Sequence, residues 1–178
     1  DFIVAGCVSN NVAVYNSSLT FQNNLATGFG CATGLDLLSN GNVVAASQND
    51  EVRFYNPAGT LVGSFTDPNI GDVIDIKAYL NRLLVGANIP NAGVADYVTD
   101  FMNTGTYTRQ IGFSEYESVA VIPGNTLWAG GPAGVIDVYN IATGALVTTI
   151  THDNGQGNAQ SMFYSASTNT VLIADITT

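Results

Sequence analysis

The sequence predicts an all-β fold made of repeated four-stranded units, and three observations lead to this prediction. Short apolar runs that end in a small residue return along the whole chain. Their small residues, Ala5, Ala45, Gly86, Ala129 and Ala174, are 40, 41, 43 and 45 residues apart. The pair Tyr-Asn follows three of them at a distance of ten residues. No segment has the 3.6-residue apolar period of a helix, so repeated strands are the expected architecture.

The strands of one unit follow each other in a fixed order. An apolar run such as GLDLL (34–38) leads through a tight turn to the run that ends in the small residue. An alternating run that ends in Tyr-Asn comes next, as in VRFYN (52–56), and a turn with Gly joins it to another alternating run, LVGSF (61–65). Alternating runs joined by short Gly turns predict hairpins. The third unit departs from this order, with about five extra residues in 88–101 and Phe101 in place of Tyr.

Four antiparallel strands in each repeat of 40-odd residues predict a β-propeller. A β-sandwich also has closely spaced strands, but it gives no reason for the same residues to return at this interval. We therefore expect one propeller domain over 1–178, in which about four to five blades are represented. The repeat units are about 1–32, 33–71, 72–116, 117–159 and 160–178, and the first and last are partial.

The predicted strand count is seventeen, whereas a closed disc of four or five complete blades needs 16 or 20 strands. Three arrangements remain open. The chain is part of a larger disc, or its terminal strands form a composite blade within one chain, or they pair with those of a neighbouring copy. The last arrangement would build a fibril by strand addition, because exposed strand edges are templates for pairing.

The segment VIDVYNIATGALVTTITH (135–152) resembles the third and fourth strands of a WD-repeat blade, with the Thr-Gly turn between them. Tyr-Asn stands where that family has Trp-Asp, and Thr151-His152 stands once where it has Gly-His. The resemblance implies a rigid disc that serves as an interaction platform. The family's buried network joins a loop His to an Asp between the second and third strands. Asp50 lies in such a turn without a preceding His, so we expect this network to be absent or replaced.

Composition limits the partners and suggests a location. Four Lys or Arg and fourteen Asp or Glu give a net charge of −10 in 178 residues, which disfavours nucleic acid and anionic lipid. No apolar run approaches the length of a membrane span, and the first residues lack the basic flank of a signal peptide. We therefore expect a soluble, already processed chain, and the scarcity of lysine favours an extracellular or cell-surface location.

His152 is the single histidine and the one candidate for a general base. No G-x-S-x-G motif supplies a nucleophile, so we interpret His152 as a loop residue and predict no catalytic residue and no enzymatic activity. Asp67, Asn69 and Asp72 carry hard oxygen ligands suited to Ca²⁺, but they lack the spacing of a known calcium loop and a plain turn is the commoner explanation. We predict no other cofactor.

Two further sites concern covalent modification. Cys7 and Cys31 fall in loops on the same face of a four-stranded blade, so a disulfide between them is geometrically possible; two buried free thiols are the alternative. Asn16 begins the N-glycosylation pattern Asn-Ser-Ser. Asp36 and Asp75 recur on the predicted inner strands and are candidates for a cation in a central channel.

These observations favour a non-catalytic binding or structural scaffold that binds a protein, a glycan or copies of itself. A carbohydrate-binding propeller is the first alternative, but the loops between the units are unlike each other and do not repeat a pocket. A propeller lactonase or other hydrolase is the second alternative, and a single histidine gives it little support.

Overall fold

The computed structural model describes residues 2–6, 10–70, 72–87, 93–99, 105–112, 114–151 and 157–176. Within these ranges the chain forms seventeen strands and a 3₁₀ turn at Pro68–Ile70, without an α-helix. None of the described segments is a helix with the length and apolarity needed to span a membrane.

The strands form five antiparallel sheets, in each of which they pair in chain order. The first sheet consists of β1 (Phe2–Gly6), β2 (Asn11–Tyr15) and β3 (Phe21–Thr27). The second consists of β4 (Ala32–Leu37), β5 (Val43–Ser47), β6 (Glu51–Tyr55) and β7 (Leu61–Thr66). The third consists of β8 (Val73–Tyr79), β9 (Arg82–Ala87), β10 (Val94–Thr99) and β11 (Gly105–Ile111). The fourth consists of β12 (Ser118–Ile122), β13 (Thr126–Gly130), β14 (Val135–Asn140) and β15 (Leu146–Thr151), and the fifth of β16 (Asn158–Ser165) and β17 (Thr170–Ile176).

The sheets are arranged side by side, with the first strand of each complete sheet innermost. The inner strands β4, β8, β12 and β16 pack against each other in sequence. Strand β1 packs against β4 in the way that β5 packs against β8 and β13 packs against β16. Strand β1 is therefore a second strand, and the first sheet lacks an inner strand among the described residues. The predicted all-β propeller fold with four-stranded antiparallel blades is confirmed.

Apolar side chains fill each boundary between two sheets. Phe54 of the second sheet and Ile76 of the third are fully buried in one cluster, and Ala120 and Met162 join the fourth and fifth sheets in another. A single twisted sheet of four strands has no interior, so these shared clusters supply the burial that stabilises every blade.

Hydroxyl groups add polar bonds across two of these boundaries. Thr33 Oγ1 on β4 donates to the Val73 carbonyl on β8 at 2.5 Å, and Ser118 Oγ on β12 donates to the Ala159 carbonyl on β16 at 2.6 Å. These small side chains allow neighbouring inner strands to approach closely while their backbone groups stay satisfied.

The asparagine of each Tyr-Asn pair closes the hairpin between the third and fourth strands of its sheet. Asn56 Oδ1 accepts hydrogen bonds from the Ala58 and Thr60 amides, at 3.0 and 2.9 Å. Asn16 and Asn140 do the same for their turns. This Asx-turn geometry explains why asparagine recurs at this position.

In the second and fourth sheets, the tyrosine of the pair packs in one cluster with an aromatic residue from the loop that enters the sheet. In the fourth sheet, the hydroxyls of Tyr116 and Tyr139 lie 2.6 Å apart, and Tyr116 donates to Asp137 Oδ2, also at 2.6 Å. Thr149 donates to the other Asp137 oxygen at 2.6 Å. Burial, followed by the bond to Asp137, raises the pKa of Tyr116. A tyrosine and carboxylate network thus joins the loop to the third and fourth strands of this sheet.

The second sheet builds the same corner from different residues. Arg53 occupies the position of Asp137, since each lies opposite the recurring alanine of its neighbouring strand. The Arg53 guanidinium bonds Glu51 at 2.7 Å and lies 4.6 Å from the ring centre of the loop residue Phe29. A cation over an aromatic ring replaces the hydrogen bond between tyrosines.

Glu117 is the exception to the satisfied polar contacts at the boundary between the fourth and fifth sheets. Its residue is 7% exposed, and its Oε2 atom is buried without a hydrogen-bond partner. The Asn158 side chain donates to the other oxygen, Oε1, at 3.4 Å. Burial, and then the like charge of Glu115, raise the pKa of Glu117.

We expect the Asn56→Ala variant to lose about 1 kcal/mol of unfolding free energy, because two turn amides lose their acceptor. Asn56→Asp keeps Oδ1 and serves as the control. Urea unfolding followed by fluorescence measures both. Equal losses in the two variants would show that the Asn56 oxygen does not hold the turn.

We expect Glu117→Gln to stabilise the fold at pH 7, by about 1 kcal/mol, and to have no such effect at pH 3.5. A raised pKa means that the folded state binds the proton more tightly than the unfolded state. The favourable contribution of Glu117 is therefore complete below its ordinary pKa of 4.5 and is lost as the pH rises through the folded value. Thermal unfolding at both pH values measures the difference, and an equal gain at both would contradict a charge effect.

Candidate functional site

Two cavities lie along the axis between the inner strands. We call the face that carries the loops entering each inner strand the upper face, and the opposite one the lower face. The lower axial cavity has about 360 Å³ and is lined by β4, β8, β12 and β16, with Asp36, Lys77 and Phe163 among the lining residues. The upper axial cavity has about 380 Å³ and is lined by residues that include Asp75 and Gln160.

Asp36 uses both oxygens to hold the next sheet. Its Oδ1 atom accepts the Leu37 amide at 2.8 Å, and its Oδ2 atom accepts the Ala78 amide of β8 at 2.6 Å. A carboxylate that accepts hydrogen bonds from two backbone N–H groups forms strong, charge-assisted bonds. Asp36 therefore joins the second sheet to the third.

Asp75 makes the corresponding link from the third sheet to the fourth. Its Oδ2 atom accepts the Val119 amide of β12 at 3.1 Å, and its Oδ1 atom accepts from Lys77 Nζ at 2.8 Å. Burial raises the pKa of Asp75, and the Lys77 ammonium opposes that shift. The sequence placed Asp36 and Asp75 at one position of the inner strand, and this is wrong. They line cavities at different heights. Both inner strands have a register shift near their start, but Asp75 directly follows the shift in β8, whereas Asp36 lies two residues further along β4.

A larger opening, which we call the lower groove, lies between the first and second sheets on the lower face. It has a volume of about 680 Å³. Leu37 and Phe163 in its lining are each 63% exposed. The lining residues are Val14, Leu25, Leu35, Asp36, Leu37, Gly41, Val43, Asn56, Pro57 and Phe163. Asp36 is the one ionisable residue of this lining, and its oxygens already accept backbone amides. The groove is therefore an apolar surface.

The groove is open because the first sheet has no inner strand in the described structure. Val14 occupies the position of Phe54, since each precedes the tyrosine at which the hairpin register shifts. Phe54 is fully buried in a cluster with Leu38, which follows the inner strand β4. Val14 remains partly exposed. The lower groove is thus the place that an inner strand fills in the complete sheets.

The predicted calcium ligands occupy the 3₁₀ turn and its end. The Asp72 amide donates to Asp50 Oδ1 at 2.9 Å, and the Ile70 amide donates to the Asp67 carbonyl at 3.1 Å. The side chain of Asn69 lies outside the described residues. Within the described part of the chain, no three His, Cys, Asp or Glu side chains lie close enough to hold a metal ion. Calcium binding stays a prediction.

Cys31 lies at the rim of the upper axial cavity and is disulfide-bonded. The sequence has one other cysteine, Cys7, which lies outside the described residues. The pairing of Cys7 with Cys31 therefore stays a prediction from the sequence.

The other two predicted residues have separate outcomes. Asn16 lies at the exposed hairpin between β2 and β3, where its side-chain oxygen accepts the Ser18 and Thr20 amides. Glycosylation at its amide nitrogen stays a prediction. His152 lies outside the described residues, and its role as a loop residue also stays a prediction.

Sequence reasoning missed the lower groove. Its residues belong to five strands and two turns, and each looks like an ordinary strand or turn residue in its own unit. The strand count was the available signal for this groove. The first predicted unit has three strands, where a complete blade has four.

No protein-family model and no curated protein sequence matches the chain. Solved structures do match its fold. The β-propeller domain of Cps50 (Swd1) from Myceliophteria thermophila has a TM-score of 0.73 at 10% identity, and the match covers 97% of this chain and 61% of the Cps50 chain. The computationally designed Ika8 protein has a TM-score of 0.68 at 20% identity, with 99% and 56% covered. A chain of the mitotic checkpoint complex has a TM-score of 0.69 at 16% identity, with 94% and 51% covered. These identities show the propeller fold alone, and the chain spans little more than half of each neighbour.

Proposed function

We propose that the chain is a non-catalytic binding scaffold, exposed at the cell surface or secreted, that holds an extended segment of a protein partner in the lower groove. The observation that carries the proposal is the apolar groove beside the first sheet, at the place where complete sheets have an inner strand. A site that lacks a strand is shaped to receive one.

The edge of the first sheet provides the main-chain part of such a site. In the described part of the chain, strand β1 pairs with β2 and is the terminal strand of its sheet. An extended segment that adds to a free edge gains affinity from main-chain hydrogen bonds, and pockets for alternate side chains provide specificity. Val14 on the neighbouring strand β2 lines such a pocket together with Leu35, Val43 and Phe163.

Charge and polarity define the partner segment. The groove has no side-chain charge that is free of a backbone bond, so it favours apolar side chains at alternate positions of the segment. The net charge of −10 favours neutral or basic flanking residues over acidic ones.

The proposed location has two supports. Cys31 is disulfide-bonded, and structural disulfides persist in oxidising compartments. The chain also has only four Lys or Arg in 178 residues. The scaffold role is supported by the rigid packing of sheet against sheet, which presents the groove on a fixed frame.

Selection from a library of random heptapeptides tests the proposal, with NMR mapping of the contact on the protein. We expect selected peptides with apolar residues at alternate positions, and shifted amide signals in β1. Leu37→Asp should weaken their binding at least tenfold, because it places a charge in the groove. Leu146→Asp is the matched control, since Leu146 is 55% exposed on the outer strand of the fourth sheet. Peptides that shift signals on β15 and leave β1 unchanged would contradict the proposal.

A further inference from the structure

We infer that Glu117 and Glu115 bind a calcium ion on the upper face, at the boundary between the fourth and fifth sheets. This site is separate from the lower groove, and it does not depend on the proposed function. The inference starts from a buried oxygen atom that lacks a partner. Glu117 is 7% exposed, and its Oε2 atom accepts no hydrogen bond.

No Lys or Arg side chain of the protein neutralises this carboxylate. The sequence has four such residues, and each of them bonds elsewhere. The four bonds are those of Arg53 to Glu51 at 2.7 Å, Lys77 to Asp75 at 2.8 Å, Arg82 to Thr108 at 3.5 Å and Arg109 to the Ala142 carbonyl at 3.2 Å. A buried carboxylate without a partner is costly, and a cation from solution removes that cost.

A second carboxylate and an amide lie beside Glu117. Burial raises the pKa of Glu117, and the like charge of Glu115 raises it further, so the two carboxylates are close enough to interact. The Asn158 amide nitrogen donates to Glu117 Oε1 at 3.4 Å. The amide oxygen of Asn158 is then a further ligand for an ion held by Oε2.

Main-chain oxygens converge on the same place. The Glu117 amide donates to the Gly130 carbonyl at 2.8 Å, and the Ala159 amide donates to the Gly131 carbonyl at 3.3 Å. Each carbonyl oxygen has a second lone pair. A Cβ atom at Gly131 would lie 2.7 Å from the Glu115 carbonyl oxygen. The loop before β12 therefore approaches the end of β13 this closely because residue 131 is glycine.

This set of oxygen donors fits calcium better than other metal ions. Ca²⁺ takes about six to eight oxygen ligands from carboxylates, amides, main-chain carbonyls and water, in a flexible geometry. Mg²⁺ requires a near-ideal octahedron, and Zn²⁺ prefers nitrogen and sulfur ligands. Two carboxylates balance the charge of one Ca²⁺ ion, and neutral oxygens complete its shell. The site is distinct from the predicted ligands Asp67, Asn69 and Asp72, which lie in the turn before β8.

A bound ion would join two neighbouring sheets. Glu115 and Glu117 belong to the loop that enters β12, whereas Asn158 is the first residue of β16. The hydroxyl bond from Ser118 to the Ala159 carbonyl crosses the same boundary in the adjacent position. Calcium would therefore strengthen the packing of the fifth sheet on the fourth.

Calcium titration of EDTA-treated protein at pH 7, followed by NMR, tests this inference. We expect an apparent Kd of about 10⁻⁴ to 10⁻³ M, the range of weak calcium modules, with shifted amide signals at Gly131 and Asn158. Glu117→Gln should weaken binding at least tenfold, and Glu115→Gln at least threefold. Glu51→Gln is the matched control, since it changes the net charge equally in the second sheet, and it should stay within twofold of the original.

Thermal unfolding gives a second measurement. In EDTA, Glu117→Gln should unfold at a higher temperature than the original chain, because the variant removes an unpaired buried charge. In excess calcium the order should reverse, because only the original chain gains stability from the ion. Circular dichroism checks that each variant is folded.

Three results would overturn the inference. They are an original chain that does not respond to calcium, a Glu117→Gln variant that binds calcium equally well, and signal shifts that are confined to Asp72 and its neighbours in the predicted turn. Peptide selection at the lower groove tests the proposed function separately, so either can fail without the other.

Discussion

The packing of each sheet against the next is the constraint on which the rest of this molecule depends. A four-stranded blade has two faces and no interior, so every fully buried side chain in it is shared with a neighbour. The inner strands bring the sheets close enough for this sharing. Asp36 and Asp75 fix that approach by accepting backbone amides of the following sheet. The donors are main-chain amides held in place by the strands, so they bind the carboxylate oxygens with little reorganisation.

The Tyr-Asn pair has two separate structural roles, and its recurrence follows from both. The asparagine side chain accepts hydrogen bonds from the amides of the turn that follows it. The tyrosine ring of the second and fourth sheets packs against the loop that enters the sheet. The polar residue two positions before the tyrosine differs between the second and fourth sheets, and the loop aromatic differs with it. Asp137 has Tyr116 above it, and Arg53 has Phe29. The histidine network implied by the WD-repeat resemblance is replaced, in the fourth sheet, by a tyrosine and carboxylate network. That resemblance otherwise remains a prediction from the residues of 135–152.

Sequence periodicity was sufficient to predict the fold, because local signals determine the order of the strands within a blade. Alternation and Gly turns each depend on neighbours within about ten positions, and the return of the small residues shows that the same unit is repeated. The contacts between sheets depend on residues some 40 positions apart, and periodicity does not report them. Asp36 and Asp75 illustrate the limit. Similar residues in similar runs predicted one height in the channel, but Asp36 lies two residues further beyond the register shift of its strand than Asp75 does, and the two line different cavities. The lower groove was not predicted for a related reason. It lies where the described first sheet has no inner strand, and its lining comes from units far apart in the sequence.

The lower groove differs in its packing from the corresponding place in a complete blade. In a complete blade, the inner strand is covered on one edge by its own second strand and on both faces by neighbouring sheets. At the first sheet those neighbours exist on one side only, and Val14 is left with part of the environment that buries Phe54 completely. Phe163 of β16 lies along the same groove and supplies part of its apolar lining. Burying the remaining apolar surface there is favourable for the same reason that packing of one sheet on the next is favourable.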